Sequence, residues 1–501
     1  MSINTNRNDY ERVEPQHRAA LKTVLLQPPA AQTAQSFFTF HKGKGLGHKP
    51  PQGIMSLATY LISKGFKDTS CFDAQLDDLS PEETARQVAA LKPDVVGLTA
   101  WTDFWYSAWK TAKEIRRLLP DCTIILGGPH CSVFPEESLE YSTADYLVVG
   151  DGEDTLHDLL LALVEDRRPG DLPGLWQFEN GRPIQPTQKI AVVNDIMALP
   201  VVDRLLLPYR RYTSVLSDKE FETTMITSRG CPYKCVFCKI DVQKIYARKA
   251  EQVVDEFKKI ADLGITDVQI YDDTFTWGKQ RVIDICEGIL DNNINVRWAI
   301  RDRANRADPE VYDLMKRAGC DRIHYGVETG SPKILKDSGK FLTLEQAENA
   351  IAMAKETGFQ TMAYYMFGFL DETYEDAQMT IDFALKLDTS YAVFLVLIPY
   401  PGTAIYDSAM ERGIIPRDHW RDFTKNPVPN YKLPYLIDNI NDRQTLIDLK
   451  NTGMRKYYLR PKQIFRELKT IGSFREVIRK GRMAITIASD SLSLSPRLPI
   501  S

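Results

Sequence analysis

The chain is 501 residues long, 43% hydrophobic and 26% charged, with a formal net charge of −4. That length holds two or three domains with full cores, and the composition is that of a globular protein. The near-neutral charge argues against a dedicated nucleic-acid binder, which carries a strong basic excess.

Met1 to Arg18 is polar and charged, without the apolar run of a signal peptide, and 1–20 reads as a tail. No stretch of about 18 consecutive apolar residues occurs, so no spanning helix is expected. Few cysteines without an export signal imply a reducing, cytoplasmic setting.

Residues 21–169 alternate apolar runs with helical patterns. Thr23–Gln27 reads as a strand closed by Pro28-Pro29, and Gly53–Lys64 as a helix stopped at Gly65. Asp94–Thr99 reads as a buried strand, Ala108–Leu119 as a helix ended by Pro120, and Thr123–Leu126 as a strand entering Gly127-Gly128-Pro129-His130. Tyr146–Val149 closes the series before Gly150-Asp151-Gly152-Glu153. Such alternation predicts a doubly wound, Rossmann-like parallel sheet. Ligands of such sheets bind beyond the carboxyl ends of the strands, which makes the loop after Thr99 and the Gly127-Gly128 turn the expected ligand edge. Residues 170–215 are rich in Pro and Gly and read as a linker.

Alternation resumes over 216–410. Thr224–Thr227 reads as a strand leading into Ser228-Arg229-Gly230-Cys231-Pro232-Tyr233-Lys234-Cys235-Val236-Phe237-Cys238. Five further strands are expected, each preceded by a helix: Asp267–Tyr271, Asn295–Ile300, Arg322–Gly326, Gln360–Met366 and Tyr391–Ile398. Six steps make a partial (β/α)6 barrel, in which chemistry gathers at the carboxyl ends of the strands. Residues 411–501 lose the alternation and read as a small, mostly helical region. Within them, 451–482 carries ten Lys/Arg against two Glu, interleaved with Tyr457, Tyr458, Ile464, Phe465, Leu468 and Phe474. A solvated amphipathic helix or a membrane-surface contact would both fit that pattern.

Cys231, Cys235 and Cys238, spaced four and then three residues apart on one loop, suit a [4Fe–4S] cluster. Three thiolates fill three irons and leave the fourth open to a non-protein ligand. Structural zinc needs a second cysteine pair, and Cys71, Cys122, Cys131, Cys286 and Cys320 are scattered singly. Ferredoxin-type runs use another spacing and a fourth cysteine.

The cysteine triplet followed by a six-step half barrel resembles the radical S-adenosylmethionine (SAM) enzymes. The preceding sheet resembles the cobalamin-binding domain fused to one subgroup of them. Matching segments include Leu25-Leu26-Gln27-Pro28-Pro29, Pro51-Gln52-Gly53, Gly127-Gly128-Pro129-His130, Gly150-Asp151-Gly152-Glu153, Asp272-Asp273-Thr274-Phe275, Gly326-Val327-Glu328-Thr329-Gly330-Ser331 and Pro399-Tyr400-Pro401-Gly402-Thr403. The resemblance covers roughly residues 21–410 and implies three cofactors: a [4Fe–4S] cluster, SAM and cobalamin. It implies that Cys231, Cys235 and Cys238 ligate the cluster. It places Phe237 against the adenine, Asp272 and Asp273 near the SAM amino group, Glu328 at the ribose and Arg303 at the SAM carboxylate. For cobalamin it implies contacts from Thr99, Trp101, Gly127, Gly128 and His130. His324, mid-strand, reads as an interior histidine. The Asp-x-His-x-x-Gly motif that puts a histidine under cobalt is absent, and neither His41 nor His48 has the required neighbours, which implies base-off cobalamin. The family's Gly-x-Pro-Gly-Glu-Thr loop is here Gly368-Phe369-Leu370-Asp371-Glu372-Thr373.

The expected activity is a cobalamin-dependent radical methylation of an unactivated carbon in a lipid, tetrapyrrole or natural product, fed by an external flavodoxin- or ferredoxin-type donor. An anaerobic ring-forming oxidoreductase like magnesium-protoporphyrin monomethyl ester cyclase, and a non-catalytic cobalamin or redox sensor, are the alternatives.

Overall fold

The computed structural model describes residues 15–31, 34, 48–193, 195–213, 221–240, 242–434, 436 and 443–469. The first sheet is built from β1 (Thr23–Gln27), β2 (Thr69–Asp73), β3 (Val95–Thr99), β4 (Thr123–Gly127), β5 (Tyr146–Val148), β6 (Leu175–Glu179) and β7 (Arg182–Ile184), in the order β2-β1-β3-β4-β5-β6-β7. The pairs from β2 to β5 are parallel, and β6 and β7 join antiparallel. Parallel strands covered on both faces need near-continuous apolar runs. Accordingly Val24, Leu26, Val96, Ile124 and Leu126 are all 0% exposed. The chain passes from β1 outward to β2 and then back across to β3. That reversal is the topological switch point at whose carboxyl edge ligands bind.

The stretch 170–215 is more than a linker. Its first part supplies β6 and β7, and its later part is pinned into the first unit. Tyr212 is buried and donates from its hydroxyl to Asp73 at 2.7 Å. Arg204 is also buried, and its Nη1 lies 2.5 Å from Glu256 Oε1, while Arg248 Nη1 meets Glu256 Oε2 at 2.5 Å.

The second sheet contains β8 (Glu222–Met225), β11 (Asp267–Ile270), β12 (Arg297–Asp302), β13 (Cys320–Glu328), β14 (Gln360–Phe367) and β15 (Tyr391–Val396), in the order β15-β14-β13-β12-β11-β8. The short strands β9 (Ser228–Arg229) and β10 (Tyr246–Ala247) pair separately. β11 to β15 run parallel in sequence order, the open half barrel expected from six strand–helix steps. Burial alternates strictly along β14 and β15, so one face lies in the core and the other keeps some exposure. By contacts the chain forms two compact units, one of 1–225, 247–265 and 418–433, the other of 226–246, 266–417 and 434–501.

The described part of the basic tail is tied down. Lys462, Arg466 and Arg460 all reach Asp388, at 2.6, 3.1 and 3.1 Å. Tyr457 is buried, and the Tyr458 hydroxyl donates to the Ala392 carbonyl at 2.8 Å. Residues 470–482 of that stretch, with Phe474, lie outside the described residues. Among the described residues no helix is long and apolar enough to cross a membrane.

Glu256 is the buried carboxylate that holds both Arg204 and Arg248 in the first unit. Burial raises its pKa, but Arg204 and Arg248 outweigh that and hold it below the usual range. Its contribution to stability is therefore complete above the ordinary glutamate value and is lost as pH falls through the depressed folded value. Glu256→Gln, which leaves two buried guanidinium groups facing a neutral amide, is expected to cost about 3 kcal/mol in urea unfolding. A loss below about 1 kcal/mol would contradict the pairing.

Candidate functional site

The cysteine loop is fixed from beneath by one carboxylate. Asp272, just past β11, accepts from the Thr227 and Ser228 N–H groups through Oδ1 at 2.6 and 3.0 Å. Its Oδ2 accepts from the Thr227 and Ser228 hydroxyls at 2.5 and 2.7 Å. Four donors saturate a buried carboxylate, and each such charge-assisted bond is worth about 1.5–3 kcal/mol. Above that anchor the loop turns at Gly230, whose φ of +89° and contact with the Lys244 carbonyl exclude any side chain. The Cys231 N–H donates to Val242 O at 3.1 Å, and the Val236 N–H to Ser338 O at 3.0 Å.

Cys231 is buried, Cys235 half-buried and Cys238 exposed. The Cys238 thiol is pushed up to about 12 by burial first, and then by the charges of Cys235, Asp273 and Cys231. No three His, Cys, Asp or Glu side chains among the described residues converge on a point suited to a single ion. Three thiols on one loop can each take one iron of a cube and leave the fourth iron open.

Asp273 has the opposite character to its neighbour. Its residue keeps solvent exposure, and partial burial of the carboxyl followed by the Asp272 charge raises its pKa, while Arg301 and a hydrogen bond from the Gly230 backbone pull it back. Of the adjacent pair, Asp273 has the carboxylate open to a ligand.

Arg303 is buried and works on the loop. Its guanidinium lies 3.6 Å from the centre of the Tyr233 ring, its Nη1 is 3.6 Å from Cys235 Sγ, and its Nη2 donates to the Lys340 carbonyl. Only its Nε lacks an acceptor. Phe237 is half-buried, edge-on to Phe369 with ring centres 5.8 Å apart.

Glu328 ends β13 in a left-handed conformation, φ +71°, where the pairing with β14 slips by one residue. A non-glycine residue in that region is strained, and such strain gathers at sites where a side chain must be aimed. The buried Glu328 carboxylate pairs with buried Lys340. A Cβ on Gly326 would collide with both Glu328 Oε1 and Lys340 Nζ, so glycine there makes room for the pair. Lys340 and Tyr233 were not legible as site residues because both reach the site through tertiary contacts.

In the first unit, Thr99, Trp101, Gly127 and Gly128 lie at the carboxyl edge of β3 and β4. Gly128 has φ +97°, and a Cβ there would lie 2.8 Å from both Ala100 O and Thr99 Oγ1. Its glycine joins the two strand ends. Gly127 is different: among the described residues a Cβ would meet only Val148 O, at 3.7 Å, an ordinary contact. Trp101 is 52% exposed, a large apolar surface at the ligand edge. His130 does not belong to this edge. It is 0% exposed, stacked on Trp105 with ring centres 4.4 Å apart, and Thr424 Oγ1 lies 3.3 Å from Nε2. Burial drives its pKa down to about 3. The His130 ring therefore packs in an aromatic core and does not face the ligand edge in this structure.

Comparison with known proteins agrees with this architecture. The family model of the radical SAM superfamily matches residues 225–384, and that of the B12 binding domain matches residues 43–160. The chain is 31% identical over 424 residues to the uncharacterized methyltransferase PH0819 of Pyrococcus horikoshii, covering 84% of this chain and 90% of that one. It is 26% identical to the anaerobic magnesium-protoporphyrin IX monomethyl ester cyclase of Rubrivivax gelatinosus, covering 84% and 76%. Among solved structures, the radical SAM methyltransferase TsrM from Kitasatospora setae, with cobalamin and a [4Fe–4S] cluster bound, superposes with a TM-score of 0.71 at 20% identity, covering 95% of this chain and all of that one. The cobalamin-dependent SAM radical enzyme OxsB gives 0.69 at 17%, covering 94% and 72%. At these identities the structures speak to the fold. The chain belongs to the radical SAM enzymes that carry a cobalamin-binding domain, whose cofactors are a [4Fe–4S] cluster, SAM and cobalamin.

The Glu328–Lys340 pair yields a test. Lys340→Met strands a buried carboxylate already in a strained conformation and should cost about 3 kcal/mol in denaturant unfolding. Adding Glu328→Gln should restore a large part of that loss, and a strictly additive double variant would refute the coupling.

Proposed function

We propose that this chain is a cobalamin-dependent radical SAM methyltransferase acting on an unactivated carbon. The observation that carries the reading is the joining, in one chain, of a three-thiol loop to a sheet that matches the B12 binding domain. When bound, these cofactors supply a carbon-centred radical and a methyl donor, chemistry that side chains alone cannot provide. The protein binds, orients and excludes water.

In this reading Cys231, Cys235 and Cys238 hold three irons. Arg303 directs a guanidinium N–H at the Cys235 sulfur and keeps the loop against Lys340. Asp273 accepts from the SAM ammonium group, and Glu328 from the ribose hydroxyls, with Lys340 holding that carboxylate in place. Phe237 lies against the adenine. In the first unit, Trp101 supplies an apolar surface and Gly127 a bare backbone for a flat macrocycle, with Thr99 and Gly128 shaping the turn.

The substrate is a small molecule or a lipid, and an external low-potential donor of flavodoxin or ferredoxin type supplies electrons. Peripheral membrane contact has support in Ile464, Phe465 and Leu468, which are 45%, 60% and 60% exposed on the helix Pro461–Lys469. Arg460, Lys462 and Arg466 are already committed to Asp388, so that contact would rest on the apolar residues.

Anaerobically reconstituted enzyme, incubated with SAM, a low-potential reductant and a cell extract as substrate source, is expected to release S-adenosylhomocysteine together with 5′-deoxyadenosine. Release of 5′-deoxyadenosine without S-adenosylhomocysteine would favour the ring-forming oxidoreductase. Neither product, from protein with an intact cluster, would leave a non-catalytic sensor.

A further inference from the structure

The exposed face of the second sheet carries a cluster of hydrogen-bond donors that the cofactor reading does not use. Arg322, His324, Gly326 and Glu328 alternate onto that face along β13. Register sets Arg301 of β12 beside His324, and Tyr364 of β14 beside Gly326. Arg322 Nε donates to His324 Nε2 at 3.1 Å, and His324 Nδ1 lies 2.9 Å from the Tyr364 hydroxyl. The Arg301 guanidinium stacks on Tyr271, 4.1 Å from the ring centre.

Proton placement follows from these contacts. A guanidinium can only donate, so His324 Nε2 is the unprotonated nitrogen, and Nδ1–H donates to the Tyr364 oxygen. The Tyr364 hydroxyl hydrogen is then available to a further acceptor. Arg322 is only 6% exposed, and within 4.0 Å neither Arg301 nor Arg322 has a carboxylate partner among the described residues. Of the carboxylates on the same face, Asp267 lies at the foot of β11, where Arg297 and Gln269 engage it at 3.4 and 3.0 Å. Glu328 is taken by Lys340, and Asp273 lies beyond the end of β11. Among the described residues, buried Arg322 has no carboxylate within 4.0 Å and Arg301 feels only the more distant charge of Asp273, so the two guanidinium groups together can receive an anion.

We propose that Arg301 and Arg322, with the Tyr364 hydroxyl, form an oxyanion subsite that takes the carboxylate or phosphate of the substrate. Both anions offer the paired oxygens that a guanidinium grips through two N–H groups. The subsite lies four to six residues back along the strand from Glu328, roughly 13–20 Å. Across β14 and β15 the same face turns apolar at Met362 and Leu395, which His324 and Met366 adjoin in register. The substrate class is thus an amphiphile with an acidic group held deep and an apolar body extending toward the rim. This inference rests on the proposed reading in which Asp273 and Glu328 hold SAM at the carboxyl end of this sheet.

The test uses the reconstituted full-length enzyme with bound cluster and cobalamin, and three probes of equal chain length: octanoate, octyl phosphate and 1-octanol. Calorimetry should show at least one anionic probe binding ten-fold or more tighter than the alcohol, and which one identifies the acid. Arg301→Met and Arg322→Met should each reduce that preference at least ten-fold, while 1-octanol binding, which reports an intact apolar wall, stays within two-fold. Arg301→Lys and Arg322→Lys, less disruptive to folding, should keep part of the preference. Equal binding of acid and alcohol by the unaltered enzyme, or an undiminished preference in folded methionine variants, would overturn the subsite. S-adenosylhomocysteine is not measured here, so failure of the subsite and failure of methyl transfer are read separately.

Discussion

Asp272 is the residue on which the site is built. Its four hydrogen bonds to Thr227 and Ser228 join the root of the cysteine loop to the carboxyl end of the next strand but one in the chain. A loop carrying three thiols has little apolar surface of its own, so ordering it takes directional bonds. The carboxylate supplies them where desolvation makes each bond strong and a missing partner expensive. Asp272 is saturated while the adjacent Asp273 stays exposed, so two identical side chains have different surroundings.

The same economy recurs around Glu328. The register slip at Gly326, the left-handed φ of Glu328 and the buried Lys340 form one device, each part intelligible only through the others. Strain in the backbone aims the carboxylate, the ammonium group pairs with it out of water, and the missing Cβ at Gly326 lets them meet. Arg303 extends the device to the cluster loop by touching Cys235 while donating to the Lys340 carbonyl. The thiols, the two carboxylates and Lys340 are therefore mechanically coupled, and a change at one is expected to be felt at the others.

Features that are local in sequence were legible. The cysteine spacing, the buried strands and the half barrel follow from short-range pattern alone. What was missed depends on distant contacts. The strand Thr69–Asp73 is short, polar and at a sheet edge, so its pattern is weak. The hairpin of β6 and β7 had a readable signal in Asn180-Gly181, whose φ values of +52° and +78° suit a tight turn, but the surrounding prolines and glycines masked it. His130 was assigned from its place beside Gly127-Gly128, whereas its burial depends on Trp105 and Thr424, far away in the chain. Lys340 and Tyr233 had no motif to mark them. Arg301 and Arg322 became conspicuous only when register placed them on one face without carboxylate partners.

The central claim is the division of labour between Asp272 and Asp273, and electron paramagnetic resonance of the dithionite-reduced cluster, recorded with and without SAM, addresses it most directly. Asp273→Asn should keep the cluster signal at near full intensity but lose the change in g values that SAM produces in the unaltered enzyme. Asp272→Ala should instead lose most of the cluster signal before SAM is added. A full signal with a normal SAM response in Asp272→Ala, or a collapsed cluster in Asp273→Asn, would contradict the account.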